Sequence, residues 1–349
     1  MLPLEDLDMG TNDDWLALTV EEALEPDLPI CDPHHHLWQA REGQPEPRYL
    51  LDDLLADTNS GHNIVSTVFI ECGAKYKTDG PEALRPVGET EFVDAIAAMS
   101  ETGQYGPTRV AAGIIGHADL MLGDDVVPVL EAHIAAGGGR FRGIRHSVPW
   151  DASDDVPVVR VKRPPHLLVD DTYRAGFAHL ARFGLSFEAW LYHTQIAELT
   201  DLARAFPDTT IILNHLGGPL GVGPYAGQRE AIFSTWKTDI AELATCPNVV
   251  AKIGGLNMEI NGYGWHEKPK PPTSEELMEA TRAWYEYTIE QFGVERCLFE
   301  SNFPVDKLSC SYAVLWNSFK RMTVGYSDAE KAQLYHDTAL RVYRLEAAA

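Results

Sequence analysis

The chain alternates short apolar runs with longer stretches of mixed composition. Eight runs of apolar and β-branched residues lack the strict alternation of a half-exposed strand, and such runs are typical of strands buried on both faces. They span residues 28–38, 64–72, 110–115, 141–146, 185–193, 210–215, 249–256 and 297–303. Amphipathic stretches typical of helices lie between them, at 89–100, 126–136, 171–183, 195–206, 230–244 and 274–292. A strand followed by a helix, repeated about eight times, predicts an α/β fold of the (β/α)₈ TIM barrel type.

A doubly wound open sheet is the competing architecture, and it normally carries a glycine-rich phosphate turn after its first strand. Here the first run ends in histidines instead. We therefore expect one barrel over residues 28–345, preceded by an acidic N-terminal arm at 1–27. The segments 150–170 and 257–273 follow strands and are too long for ordinary connections, so we expect them to form loops over the C-terminal mouth.

The charge balance changes the list of expected partners. The 349 residues include 28 Lys and Arg against 52 Asp and Glu, for a net charge of −24. This balance argues against nucleic acid as a partner, because phosphate binding needs clustered cations. No run approaches the roughly 18 apolar residues that span a bilayer, and the acidic N-terminus does not resemble a secretory signal. The five scattered cysteines fit buried thiols in a reducing compartment, so we expect a cytoplasmic protein.

The clearest chemical signal is the segment DPHHHLW at the end of the first run. Side chains two apart on a strand share a face, so His34 and His36 project together while His35 points away. Two imidazoles at one strand end can bind a single divalent metal ion. The alternative is a run of solvated loop histidines without a ligand.

Other strand ends supply compatible groups. His193 closes the fifth run and His215 closes the sixth, while Arg145 and His146 follow the fourth. A lone histidine at a strand end is more often an ordinary hydrogen-bonded residue, but several at one barrel mouth indicate a site. Arginine offers a rigid fork of donors that suits a substrate carboxylate, although a surface ion pair would explain Arg145 equally well.

Together, the segments DPHHHLW, GIRH, LSFEAWLYHTQ, ILNHLGG and FESNFPVDK resemble the amidohydrolase superfamily, in particular its family-2 branch of lactone hydrolases and decarboxylases. The resemblance covers about residues 28–345. It implies a divalent metal, with zinc expected first and iron or manganese as alternatives. It also implies His34 and His36 as ligands, with His193 and His215 as further ligands or as groups that polarise the substrate.

The sequence departs from this family at the end of the eighth strand. The resemblance implies an aspartate there, in a Gly-Ser-Asp-Trp/Phe-Pro segment, that touches the metal and acts as general base. This chain has Glu300-Ser301-Asn302-Phe303-Pro304. An amide cannot accept a proton near neutral pH, so Asp306, Glu71, Glu188 and Glu300 are candidates for the base.

These observations predict a set of site residues. We expect Asn302, His215 and Asp306 in catalysis, Arg145, His146, Trp38 and Glu71 against the substrate, and His34, His36, His193 and His215 on the metal.

The first functional hypothesis is a metal-dependent hydrolase of a small carboxylated lactone or amide. A metal-dependent decarboxylase and an oxygen-activating iron or manganese enzyme are alternatives on the same barrel. A further alternative is a metal-bearing subunit without activity, which lost its base and supports a partner chain. A homo- or hetero-oligomer is expected in each case.

Overall fold

A computed structural model of the chain describes residues 12–40, 47–158 and 161–346. Its centre is one sheet of eight parallel strands that follow each other in chain order. The strands are β1 (Pro29–His35), β2 (Asn63–Ile70), β3 (Arg109–Gly116), β4 (Phe141–Ile144), β5 (Ser186–Ala189), β6 (Ile211–Leu213), β7 (Val249–Ile253) and β8 (Cys297–Phe299). The predicted (β/α)₈ TIM barrel is confirmed.

Helices separate the strands and surround the barrel. They are α1 (Asn12–Leu16), α2 (Leu51–Thr58), α3 (Val87–Ser100), α4 (Val127–Ala136), α5 (Asp171–Phe177), α6 (His179–Arg182), α7 (Ile196–Ala205), α8 (Arg229–Ala244), α9 (Ser274–Phe292), α10 (Tyr312–Met322), α11 (Asp328–Ala332) and α12 (Thr338–Tyr343). The longest, α9, begins with a reciprocal capping box between Thr273 and Glu276 and ends at Gly293, whose positive φ of 79° terminates it.

The barrel closes between β1 and the segment that follows β8. The amide of Asn302 donates to the carbonyl of His34 at 3.0 Å, and the amide of His36 donates to the carbonyl of Phe303 at 2.8 Å. These bonds place the histidine segment of β1 directly beside the segment that carries Glu300 and Asn302. Two regions 267 residues apart in sequence thus share one edge of the mouth.

Several strands end earlier than their apolar runs. β5 ends at Ala189, β6 at Leu213 and β8 at Phe299. The backbone then leaves the extended conformation, with φ of +50° at His215 and +56° at Asn302. Side-chain parity along the strand therefore stops being a guide at the residues nearest the mouth.

The interior of the barrel is apolar in its lower half, the half near the amino ends of the strands. Inward side chains from six strands pack with α12 there, and the cluster comprises Cys31, Val68, Ile70, Ile115, Ile212, Val250, Leu298, Ala339, Val342 and Tyr343. Arg344 donates to the carbonyl of Arg142 near the start of β4, and Arg109 at the start of β3 donates to the carbonyl of Glu346. The C-terminal helix therefore seals the lower end of the barrel.

The described part of the N-terminal arm lies along the outside of the barrel. Trp15 donates to the carbonyl of Lys268, and the carboxylate of Glu21 accepts hydrogen bonds from Ser274 and Asn317. Residues 1–11 of the predicted arm lie outside the described residues. None of the helices in the described ranges is both long and apolar enough to cross a membrane.

Candidate active site

Three side chains from different strand ends meet inside the upper half of the barrel. His34 comes from β1, His215 follows β6, and Glu300 follows β8. A nitrogen or oxygen ligand atom of each lies within 4.8 Å of the others. Nδ1 of His215 lies 2.7 Å from Oε1 of Glu300, and Nδ1 of His34 lies 2.6 Å from Oε2. One carboxylate therefore joins two of the predicted histidines.

The imidazole of His34 is held neutral by its surroundings. It is fully buried, and this burial, reinforced by the ammonium of Lys252, holds its pKa well below the ordinary value. Lys252 approaches Nδ1 at 3.2 Å, and the guanidinium of Arg145 lies 3.5 Å from Nε2. A neutral imidazole is the form that binds metal ions.

The same three residues fit a divalent metal ion. Among the described residues, Oε2 of Glu300 makes no hydrogen bond although it is buried, and a buried carboxylate oxygen requires a compensating partner. Its close approach to His34 lacks hydrogen-bond geometry, which is the arrangement expected of two ligands that share a cation. Two histidines and one carboxylate form a donor set used by catalytic zinc and by non-haem iron.

His36 has the orientation of a metal ligand but lies at the edge of this group. Its Nδ1 lies 2.8 Å from the carbonyl of Ile70, and a carbonyl only accepts, so Nδ1 carries the proton and Nε2 keeps its lone pair. Metal-binding histidines usually donate their second nitrogen in this way. The ring centroids of His34 and His36 are 5.0 Å apart. His36 therefore stays a predicted ligand.

Two consecutive glycines after β7 make room for the cluster. A Cβ on Gly254 would lie 2.6 Å from Cγ of Glu300, and a Cβ on Gly255 would lie 2.0 Å from Nδ1 of His215. Gly255 also has a φ of +69°, which favours glycine. The segment IGG therefore allows the backbone of β7 to approach both side chains closely.

We expect Gly255→Ala to lower the free energy of unfolding by about 2–4 kcal/mol, because left-handed backbone strain and overpacking add together. Gly227→Ala is the matched control, since Gly227 has a φ of +73° with open space around its Cα. It should cost only the backbone strain, about 1–2 kcal/mol. Denaturant unfolding measures both. Equal losses in the two variants would mean that His215 does not depend on the close approach.

Asn302 and Asp306 pair with each other. Nδ2 of Asn302 donates to Oδ1 of Asp306 at 2.8 Å, and the amide of Asn257 donates to Oδ2 at 3.2 Å. Burial raises the pKa of Asp306 to about 7. Among the described residues, Asp306 does not belong to the group formed by His34, His215 and Glu300. The strand-eight asparagine thus faces an acid of its own segment.

Arg145 is already engaged. Its Nε donates to Oε1 of Glu71 at 2.9 Å, and Nη2 donates to the carbonyl of the same residue. Only 4% of Arg145 is exposed. This geometry turns the guanidinium toward Glu71 and His34, so the expected contact with a substrate carboxylate would have to compete with a buried ion pair.

The other predicted residues, His146, Trp38 and His193, make contacts of their own. Nδ1 of His146 accepts from the amide of Leu120, and burial holds the pKa of His146 well below its usual value. The Trp38 ring stacks on His36 with centroids 6.0 Å apart.

His193 follows β5 by four residues and accepts from the amide of Leu220, and burial lowers its pKa to about 4. The structure does not bring His193 into the group with His34, His215 and Glu300.

Asp32 fixes the register of the two segments that carry the cluster. Its carboxylate accepts from Oγ and the amide of Ser301, from the hydroxyl of Tyr312 and from the amide of His34. Burial raises the pKa of Asp32 to about 6. The first residue of the DPHHH motif therefore holds β1 against the segment after β8.

Sequence reasoning missed Lys252, which lies fully buried beside His34 and Glu188. A signal was present, because Lys252 is the only charged residue in the apolar run 249–256. A lysine in the middle of a strand buried on both faces requires a carboxylate partner inside the barrel. No such signal identified Tyr343, which reaches the barrel interior from α12.

Comparison with known proteins agrees with this architecture. Residues 31–345 match the family model Amidohydro_2, described as amidohydrolase. The uncharacterized protein y4mH of Sinorhizobium fredii is 35% identical, covering 91% of this chain and 99% of its own. An L-fucono-1,5-lactonase of Burkholderia multivorans is 26% identical, covering 76% of this chain and 86% of its own. The crystal structure of a Burkholderia multivorans amidohydrolase with bound zinc superposes with a TM-score of 0.69 at 22% identity, covering 91% of this chain and 99% of that one. The chain therefore belongs to the amidohydrolase family that this model describes.

Proposed function

We propose that this protein is a divalent-metal-dependent hydrolase that opens a small lactone, with Glu300 in place of the usual strand-eight aspartate. The observation that carries the proposal is the position of Glu300, whose two carboxylate oxygens lie 2.7 Å from His215 and 2.6 Å from His34. The family motif has glycine where this chain has Glu300 and aspartate where it has Asn302. The carboxylate is thus supplied two residues earlier on the same segment.

A divalent ion held by His34, His215 and Glu300, with zinc as the first expectation, would supply Lewis acidity that polarises a carbonyl and brings the pKa of water toward about 7. A residue of the chain then transfers the proton of the attacking water. His215 fixes Oε1 of Glu300, and Oε2 has two lone pairs, so it can face the ion with one and accept a proton from the attacking water with the other. The water oxygen bonds to the carbonyl carbon, the ring C–O bond breaks, and the proton passes from Oε2 to the departing ring oxygen.

The similarity to an L-fucono-1,5-lactonase favours a lactone of a small hydroxylated acid as substrate. Such a ring carries hydroxyl groups and becomes a carboxylate only when it opens. A permanent carboxylate on the substrate stays a prediction, because Arg145 is paired with Glu71. The similarity therefore supports the lactone, whereas the pairing of Arg145 with Glu71 gives no support to the added acid group.

The test is hydrolysis of L-fucono-1,5-lactone and related aldonolactones. The rate of proton release is measured and compared with the rate of spontaneous hydrolysis. Chelation should reduce the rate to the spontaneous value, and added zinc should restore it. Metal-loaded protein that releases no protons from any lactone of the panel would contradict the proposal. A protein treated with chelator and then dialysed against buffer alone is the matched control.

A second candidate is an oxygen-activating iron enzyme, which the donor set of two histidines and one carboxylate favours. Metal analysis of untreated protein and oxygen consumption separate it from hydrolysis. The hypothesis of a metal-bearing subunit without activity depended on the loss of the strand-eight base. Glu300 removes that reason, because a carboxylate is present in the cluster.

A further inference from the structure

Lys252 lies on β7 inside the barrel, directly below the cluster, and its side chain is fully buried. Its ammonium nitrogen is surrounded by three possible ligand atoms of a cation. Oε2 of Glu188 lies at 2.9 Å, Nδ1 of His34 at 3.2 Å and Oε2 of Glu300 at 3.9 Å. The two carboxylate oxygens around this point charge are donors that a divalent ion also accepts.

The partners of this ammonium are fixed from several sides. Oε1 of Glu188 accepts from the hydroxyl of Tyr343 at 2.5 Å, and Oε2 also accepts from Nδ2 of Asn214. The Tyr343 ring lies 5.6 Å from the ammonium. Glu188 therefore cannot move toward the mouth without breaking its contacts to Asn214, which follows β6, and to Tyr343 of α12.

The charges explain why a cation is required here. Glu188 and Glu300 are both fully buried, and a buried carboxylate without a compensating charge is strongly destabilising. Lys252 is the cation nearest to both, and it reaches them on a covalent tether. An ion held by His34, His215 and Glu300 would be an additional positive charge.

We propose that Lys252 is a tethered cation that fills a second cation position, and that it thereby limits the site to one divalent ion. The carboxylates of Glu188 and Glu300 define this position, because the single lone pair of Nδ1 of His34 can serve only one ion. The inference concerns the site of the proposed function, but it is tested by counting metal ions without any substrate. Its failure would therefore leave the lactonase proposal standing, and loss of the lactonase proposal would leave this one open to the same measurement.

The experiment compares two substitutions of different size. Lys252→Ala removes the ammonium and opens its space, whereas Lys252→Met removes the charge but fills the space. Apoprotein is dialysed to equilibrium against zinc alone, and bound metal is counted by elemental analysis. We expect one ion in the wild-type protein, two in Lys252→Ala and no second ion in Lys252→Met. The double variant Lys252→Ala/Glu188→Gln loses a donor and should return to one ion.

A folded Lys252→Ala protein that binds the same number of ions as wild type would overturn the inference, as would a second ion in Lys252→Met. If Lys252→Ala does not fold alone, it is refolded with and without zinc while Lys252→Met is treated in parallel. Recovery of Lys252→Ala with zinc, without a matching effect on Lys252→Met, supports the tethered cation. Failure to recover overturns it.

Discussion

Replacing Glu300 by glutamine should lower kcat for lactone opening by about 10²–10⁴-fold, the range that a positioned general base contributes. Glutamine keeps the length of the side chain and an oxygen that can accept the hydrogen bond from Nδ1 of His215. It cannot take a proton at Oε2. Steady-state kinetics at saturating zinc, with bound metal counted in the same samples, separates lost proton transfer from lost metal.

The control variant changes Asn302, the position at which the family motif has its aspartate. Asn302→Asp in the wild-type protein should not raise kcat. It should lower the free energy of unfolding, because it places a second carboxylate 2.8 Å from Oδ1 of Asp306. Glu300→Gly/Asn302→Asp recreates the family order of glycine and aspartate on this segment. A Glu300→Gln protein that keeps kcat within about threefold would refute the role of Glu300, since a general base is worth far more.

Arg145→Met should lower the free energy of unfolding by about 3–5 kcal/mol, because it removes the guanidinium that pairs with the buried carboxylate of Glu71. Glu71→Gln should cost a similar amount. The double variant Arg145→Met/Glu71→Gln should lose clearly less than the sum, because the pair is removed as a unit. Denaturant unfolding of the four proteins gives this cycle directly.

The kinetics of Arg145 variants distinguish two roles. If Arg145 fixes His34, the Arg145→Lys protein should lose kcat at nearly unchanged KM, because lysine cannot reproduce the fork that spans Glu71. If Arg145 instead binds a carboxylate of the substrate, KM rises and kcat changes little. A raised KM with no loss of stability would contradict the structural role.

The barrel was predictable because its strands are buried on both faces. Runs such as 64–72 and 249–256 are mostly apolar without strict alternation, and this pattern is visible in the sequence without any knowledge of neighbouring strands. The pairing of His34 and His36 on one face was likewise visible, because strand periodicity fixes it. Local rules were sufficient for both.

The arrangement of the site was less predictable because it depends on backbone that is no longer extended. A regular strand would turn Glu300 and Asn302 to the same face, but φ at Asn302 is +56° and its amide turns to Asp306. His193 lies four residues beyond the end of β5, where strand geometry no longer applies. The partners of Lys252 come from β1, β5 and the segment after β8, and contacts of that range leave little trace in a single sequence.

The helix α12 closes the lower end of the barrel, so the interior is open to solvent only at the mouth. Tyr343 and Val342 occupy its lower end among apolar strand residues, so ions, water and protons exchange with solvent through the mouth. A ligand bound in the mouth then blocks the exchange of ions and water between the barrel interior and solvent. Bound metal would escape to a chelator more slowly while product or an inhibitor occupies that opening, and the protein would hold its ion most firmly during turnover.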